Sequence, residues 1–261
     1  MADQTEIQSA LGATLAGQIL STAGTPQVIV PEGFELHDLE KTLSAPLRLR
    51  GSTKVLDAKS FIALVTEFKG PGTKLYGNFT PPKFAAVFNA NASYLPGWSD
   101  HRVTYDCPIS IEWTTWVGAN KRTMSQPDFA QFIEDNLPDL LDAATMLEVS
   151  RTLEAKKKVN FASGIRLSDG ETQFTYEEQI EGTASKGLMK VPEVFQIGIP
   201  VFEGGDRYKV NARLRYRIGD GGKLTLWYDL ERPHKILEDA VKEVWTSIET
   251  GTELVVLNAV I

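Results

Sequence analysis

Apolar and polar residues alternate most regularly between Asp206 and Leu230. Tyr208, Val210, Ala212, Leu214, Tyr216 and Ile218 take one phase; Lys209, Asn211, Arg213, Arg215 and Arg217 take the other. A period of two belongs to a strand with one buried face and one wet face. Asp220, Gly221 and Gly222 supply the backbone freedom of a tight turn, and Leu224, Leu226 and Tyr228 restart the alternation. A β-hairpin is therefore expected here. Its polar face gathers four cations and one asparagine within nine residues.

The same reasoning extends to the rest of the chain. Val159 to Leu167 and Thr172 to Ile180 read as a hairpin around Asp169 and Gly170, and Gly187 to Pro200 as continued strand. With the central hairpin these make an antiparallel meander of about five strands. Further strands are expected at Gln27 to Val30, within Pro46 to Leu56, at Thr73 to Phe79 and Lys83 to Asn89 joined through Pro81 and Pro82, at Val103 to Tyr105, and at Glu253 to Val260.

Helical spacing appears in five places. Ile7, Leu11, Leu15 and Ile19 stand four apart in a helix over residues 3 to 20, a narrow apolar seam bordered by Ala10, Gly12, Ala13, Ala16 and Gly17. Such a face suits close packing on another helix, in the same chain or in a second copy. Asp57 is a good N-cap for a helix from Ala58 to Phe68. Ser125, followed by Gln126, Pro127 and Asp128, opens another, with Phe129, Phe132, Ile133 and Leu137 on its apolar face. A helix from Leu140 to Lys157 is expected to turn Leu141, Ala144, Leu147 and Leu153 inward, and Lys156, Lys157 and Lys158 suit its C-terminal dipole. The last runs from Ile236 to Ile248. The fold class is α+β: an antiparallel β-meander sheet packed with several helices and an N-terminal amphipathic helix. Residues 1–24 form that helix and 25–261 a single domain, with sub-lobes 25–120 and 121–261 as an alternative division.

Composition narrows the chemistry. With 42% hydrophobic and 23% charged residues the 261-residue chain is an ordinary globular one. A net charge of -7 excludes coating nucleic acid by overall charge and leaves only a local basic strip. One cysteine, Cys107, excludes an internal disulfide, and with three scattered histidines it leaves no dedicated zinc set. No apolar run reaches the roughly 20 residues of a membrane span, and Asp3 and Glu6 break the pattern of a signal peptide. A cytoplasmic location is expected, with no cofactor and no metal.

Phosphate-cradling glycine loops and the Gly-x-Ser-x-Gly elbow are missing. Cys107, followed by Pro108, has no helix start or nearby histidine to activate it. Trp98 and His101, with Asp100 between them, form a stacking and hydrogen-bonding site on one reading and a turn before a strand on the other. Trp113 and Trp116 are read as core anchors. Glu134, Asp135, Asp139, Asp142 and Glu148 are read as solvated carboxylates of a helix pair.

Trp98-x-x-His101, the run Met124 to Glu134, the run Ala212 to Arg217, and Tyr228 with Arg232 and Pro233 occur in an order that resembles the YfdQ-like family of tailed-phage and prophage proteins. The resemblance covers roughly residues 30 to 235. It implies a non-virion role around phage DNA metabolism or host takeover, in the host cytoplasm. No catalytic residues are established for that family, so none are carried over.

Three functions follow. The first is a non-enzymatic phage accessory protein that forms homo-oligomers and engages DNA through Lys209, Arg213, Arg215 and Arg217, with Tyr176 or Trp227 adding stacking. Against it stands internal pairing of those cations with Glu177, Glu181, Asp229 or Glu231. The second is a purely structural, self-assembling protein, a ring or cage, in which the Ile7, Leu11, Leu15, Ile19 seam and the basic strand are subunit contacts. The third is an enzyme with a pocket where His101, Asp100 and an arginine converge.

Overall fold

The computed structural model describes residues 40–156, 159–180 and 183–260. The expected N-terminal helix with Ile7, Leu11, Leu15 and Ile19, the strand at Gln27 to Val30, Lys157, Lys158 and Glu181 lie outside them. The chain divides into two compact units, Met1–Leu49 and Arg50–Ile261. In the first, Glu40–Thr42 forms one 3-10 turn, and the Glu40 carboxylate accepts from the Leu47 amide at 2.9 Å.

The second unit is α+β. Its first sheet orders five strands as β1 (Gly51–Val55), β4 (His101–Tyr105), β3 (Pro82–Val87), β2 (Lys74–Phe79) and β12 (Val256–Asn258). The inner pairs are antiparallel, while β1 on β4 and β12 on β2 run parallel. Helix α1 (Ala58–Phe68) begins where expected: Asp57 accepts from the Ser60 amide at 2.7 Å, and Phe61 and Val65 are buried. The C-terminal helix α5 (Pro233–Thr252) packs on it. This helix is longer than its apolar spacing predicts, because Pro233 is preset for a first turn and Arg232, in the left-handed region at φ 46°, redirects the chain into it.

Ser110 to Val117 is the start of a helix, α2 (Ile111–Ala119), whose two tryptophans anchor the core. The Ser110 hydroxyl accepts from the Trp113 amide at 3.0 Å and donates to the Pro200 carbonyl at 2.6 Å. Trp116 is fully buried, and its indole N–H donates to Asp139 at 2.9 Å. The Tyr228 hydroxyl donates to the Trp116 carbonyl at 2.6 Å. Helix α3 (Gln126–Asp135) is capped by Ser125, whose hydroxyl also donates to the Asp128 carboxylate at 2.7 Å.

Helix α4 (Ala143–Ala155) starts three residues later than its spacing predicts. Leu140 and Leu141 are held extended along a strand edge: the Leu141 amide donates to Gln196 at 2.9 Å, and Leu140 bridges Ile197. Its inward residues are Met146, Val149 and Leu153, whereas Leu141 and Ala144 are exposed. Periodicity places the stripe correctly only near Leu153, because the first turn it assumes is not helical.

The meander is consecutive in sequence and divided between two sheets. Strands β6 (Asn160–Arg166), β7 (Glu171–Ile180) and β8 (Thr183–Pro192) form one, turning at Gly170 with φ 85°. The other is ordered β5 (Met124–Ser125), β11 (Leu224–Leu230), β10 (Arg207–Ile218) and β9 (Val194–Pro200). Glu193 is the crossing residue. Tyr216 ties the sheets together, its ring edge-on to Phe174 at 4.7 Å and its hydroxyl donating to Gly164 at 2.8 Å.

Candidate nucleic-acid interface

The β10–β11 hairpin forms in the expected register, from Ala212 opposite Leu230 to Ile218 opposite Leu224, around a turn at Asp220–Gly222. Val210, Ala212 and Leu214 are buried, as are Leu224, Leu226, Tyr228 and Leu230. Apolar burial of that face fixes which residues stand on the other. These are Lys209, Asn211, Arg213, Arg215 and Arg217 of β10, and Thr225, Trp227 and Asp229 of β11, with Glu231 just beyond.

Two of the four cations are matched within the chain. Arg215 Nε donates to Asp229 at 2.9 Å. Arg213 reaches Glu193 and Glu231, each at 3.5 Å. Asn211, and after it Arg213, hold the Glu231 carboxyl below its ordinary value, so it stays ionised through mild acid. Glu193 also takes Arg166 at 3.1 Å. Lys209 and Arg217 are exposed and meet no carboxylate among the described residues. Strands rise about 3.4 Å per residue, so these two mark a track about 27 Å long. Over that track four cations face three carboxylates, Glu193, Asp229 and Glu231. The residual positive charge is small and sits at the two ends.

Trp227 lies between them on the same face, directly opposite Arg215. It is partly exposed, and among the described residues its ring has no aromatic neighbour and its indole N–H no acceptor. Three other tryptophans differ: Trp113 and Trp116 are buried, and Trp245 stacks on Phe79 at 5.2 Å. Tyr176 sits away from this face in β7, with Lys156 Nζ 4.8 Å above its ring.

The other candidate site residues lie at the start of β4 and on the loop before it. Trp98 is 77% exposed on the loop before β4. The His101 ring lies against Phe88 at 4.7 Å and Phe68 at 5.3 Å. Asp100 accepts from the Asn89 amide at 2.8 Å, and Arg102 Nε donates to the Ser99 carbonyl at 2.6 Å. The histidine is thus lined by rings, and its neighbours are engaged locally. Of the acidic residues on the helix pair, Glu134 accepts from Ser150 at 2.8 Å and Asp139 from Trp116.

A cleft of about 340 Å3 lies elsewhere, lined by Asp57, Tyr105, Glu203, Asp206, Tyr208 and Glu243 among others. The Tyr208 hydroxyl donates to Glu243. Burial, and then Glu243, raise the Tyr208 phenol above its ordinary value, so it stays protonated. Four carboxylates against one lysine, Lys59, make this cleft unfavourable to phosphate, which separates it from the β10–β11 face. It was not visible in the sequence, because its acids come from three separate segments.

The face is thus an open, polar sheet surface of an α+β protein, with an unengaged aromatic ring between cations. The chain belongs to the family described as Uncharacterized conserved protein (DUF2303), whose match spans residues 1–258. No curated protein and no solved structure matched it. Among the described residues, no helix is long and apolar enough to cross a membrane.

Proposed function

We propose that this chain is a non-enzymatic phage or prophage accessory protein that self-assembles and engages nucleic acid through the polar face of β10 and β11. The observation that carries this reading is the pair Lys209 and Arg217, unmatched by carboxylates at the two ends of a face whose middle holds Trp227. Exposed cations contribute little to folding when unpaired, and phosphate oxygens are their natural acceptors. Arg213 adds to them, since contacts of 3.5 Å to two glutamates are long enough to be exchanged for a phosphate. Arg215, tightly held by Asp229, serves the sheet instead. The YfdQ-like resemblance supports a place in phage DNA metabolism or host takeover, and the Ile7, Leu11, Leu15, Ile19 seam supports assembly into a homo-oligomer.

The test is DNA binding across a salt series by wild type and by a Lys209→Ala/Arg217→Ala variant. Three phosphate contacts, from Lys209, Arg217 and Arg213, give a slope of about -2.1 in log K against log salt for a single strand. The variant, which keeps Arg213, is expected to flatten it to about -0.7, without a change in thermal stability. Equal binding by the two proteins removes the face from nucleic-acid recognition and leaves it as a subunit contact. Light scattering on the same samples reads the assembly, and a strict monomer removes that half of the proposal.

A further inference from the structure

We infer that the face selects single-stranded over duplex nucleic acid, with Trp227 as the platform on which one base stacks. This rests on the proposed function and names its substrate class. Three observations point the same way. First, Trp227 projects from the polar side of β11, yet among the described residues it meets no ring and donates no hydrogen bond. An indole on a wet face gains from a flat partner, and a base is accessible for stacking only when it is unstacked from its own neighbours.

Second, the register places Arg217 beside that ring. Arg215 is opposite Trp227 and Arg217 is opposite Thr225, so Arg217 is the diagonal neighbour, about 7 to 8 Å away. That is close to one backbone repeat of an extended strand, so a phosphate on Arg217 leaves the adjoining base within reach of the indole. Lys209 stands eight residues back along β10, about 27 Å from Arg217. The track between them accommodates about four nucleotides, the small end of known single-strand site sizes.

Third, the charge is too sparse for a duplex. Binding a duplex without groove reading relies on neutralising many phosphates at once. Here Asp229, Glu193 and Glu231 cancel most of the positive charge, and the whole chain carries -7. A ring that supplies non-ionic affinity compensates for that deficit on a single strand and does nothing for a closed helix. Asp229 has a positioning role: by fixing Arg215 at 2.9 Å, it ties down the side chain that stands opposite the indole.

Short oligodeoxythymidine, and a duplex of equal length, are titrated into wild type, Trp227→Phe and Trp227→Ala while tryptophan fluorescence and anisotropy are followed. The expected result is preference for the single strand, with quenching of the indole that disappears in Trp227→Phe although binding persists. Trp227→Ala is expected to weaken single-strand binding about tenfold or more. Equal affinity for single strand and duplex, unaffected by Trp227→Ala, overturns the stacking inference and leaves the nucleic-acid reading standing. Binding to neither polymer overturns both.

Discussion

Cys107 occupies a left-handed backbone position, φ 45°, and only 2% of its surface is exposed. Burial pushes its thiol up from an ordinary 9.0 to about 12, against the smaller downward pull of a hydrogen bond with Tyr105. Burial also raises the phenols of Tyr105 and Tyr228 above their ordinary 10.0. The folded chain therefore keeps protons that the unfolded chain gives up. Stability is complete below the unfolded thiol's 9.0 and falls as pH rises through the folded value. The unfolding temperature is expected to hold steady up to that pH and then decline, with Cys107→Ala moving the onset up to the tyrosine range; a flat profile into strong alkali would contradict the burial. The same environment makes Cys107 a poor nucleophile, in keeping with its lack of an activating neighbour.

At the scale of elements, capping residues translate sequence into structure most directly. Ser110 is 2% exposed and serves two partners, the Trp113 amide that starts α2 and the Pro200 carbonyl that ends β9. Ser110→Ala is expected to lower stability by about 1 to 2 kcal/mol, since it removes a cap and takes a donor from the part-buried Pro200 carbonyl. Chemical denaturation checks this, and a loss within error of zero would show that Trp113 alone seats the helix. Asp57, Ser125 and the glycines of the β10–β11 turn were legible because their roles are local. What was not legible depends on distant partners. The start of α4 was displaced because Leu140 and Leu141 bond to β9, more than fifty residues on. The division of the meander did leave a trace. In the run Met189, Val191, Glu193, Phe195, Ile197, Ile199, a glutamate takes an inward phase where an apolar residue belongs. That residue is where the chain leaves one sheet for the other. It also proved to be the partner of Arg166 and Arg213 that charge patterning alone did not assign.

For the whole molecule, the balance of charge decides what the polar face is able to do. An acidic chain repels phosphate at long range, so attraction has to come from contacts within a Debye length, about 8 Å at physiological salt. The carboxylate-lined cleft around Tyr208 and Glu243 reinforces that repulsion locally, whereas Lys209, Arg217 and Trp227 bring sparse cations and an open ring together on one sheet face. The basic strip was readable as a strip, and so was its competitor, pairing with Asp229 and Glu231; which cations pair, Arg213 and Arg215, and which stay unmatched follows only from the strand register. The most direct measurement of the central claim is photocrosslinking of an oligonucleotide carrying 5-iodouracil to the wild-type protein, with the attached peptide identified by mass spectrometry. Attachment within Asp206 to Leu230, centred on Trp227, is the expected result; attachment confined to other segments, or none at all under conditions where DNA binds, would contradict it.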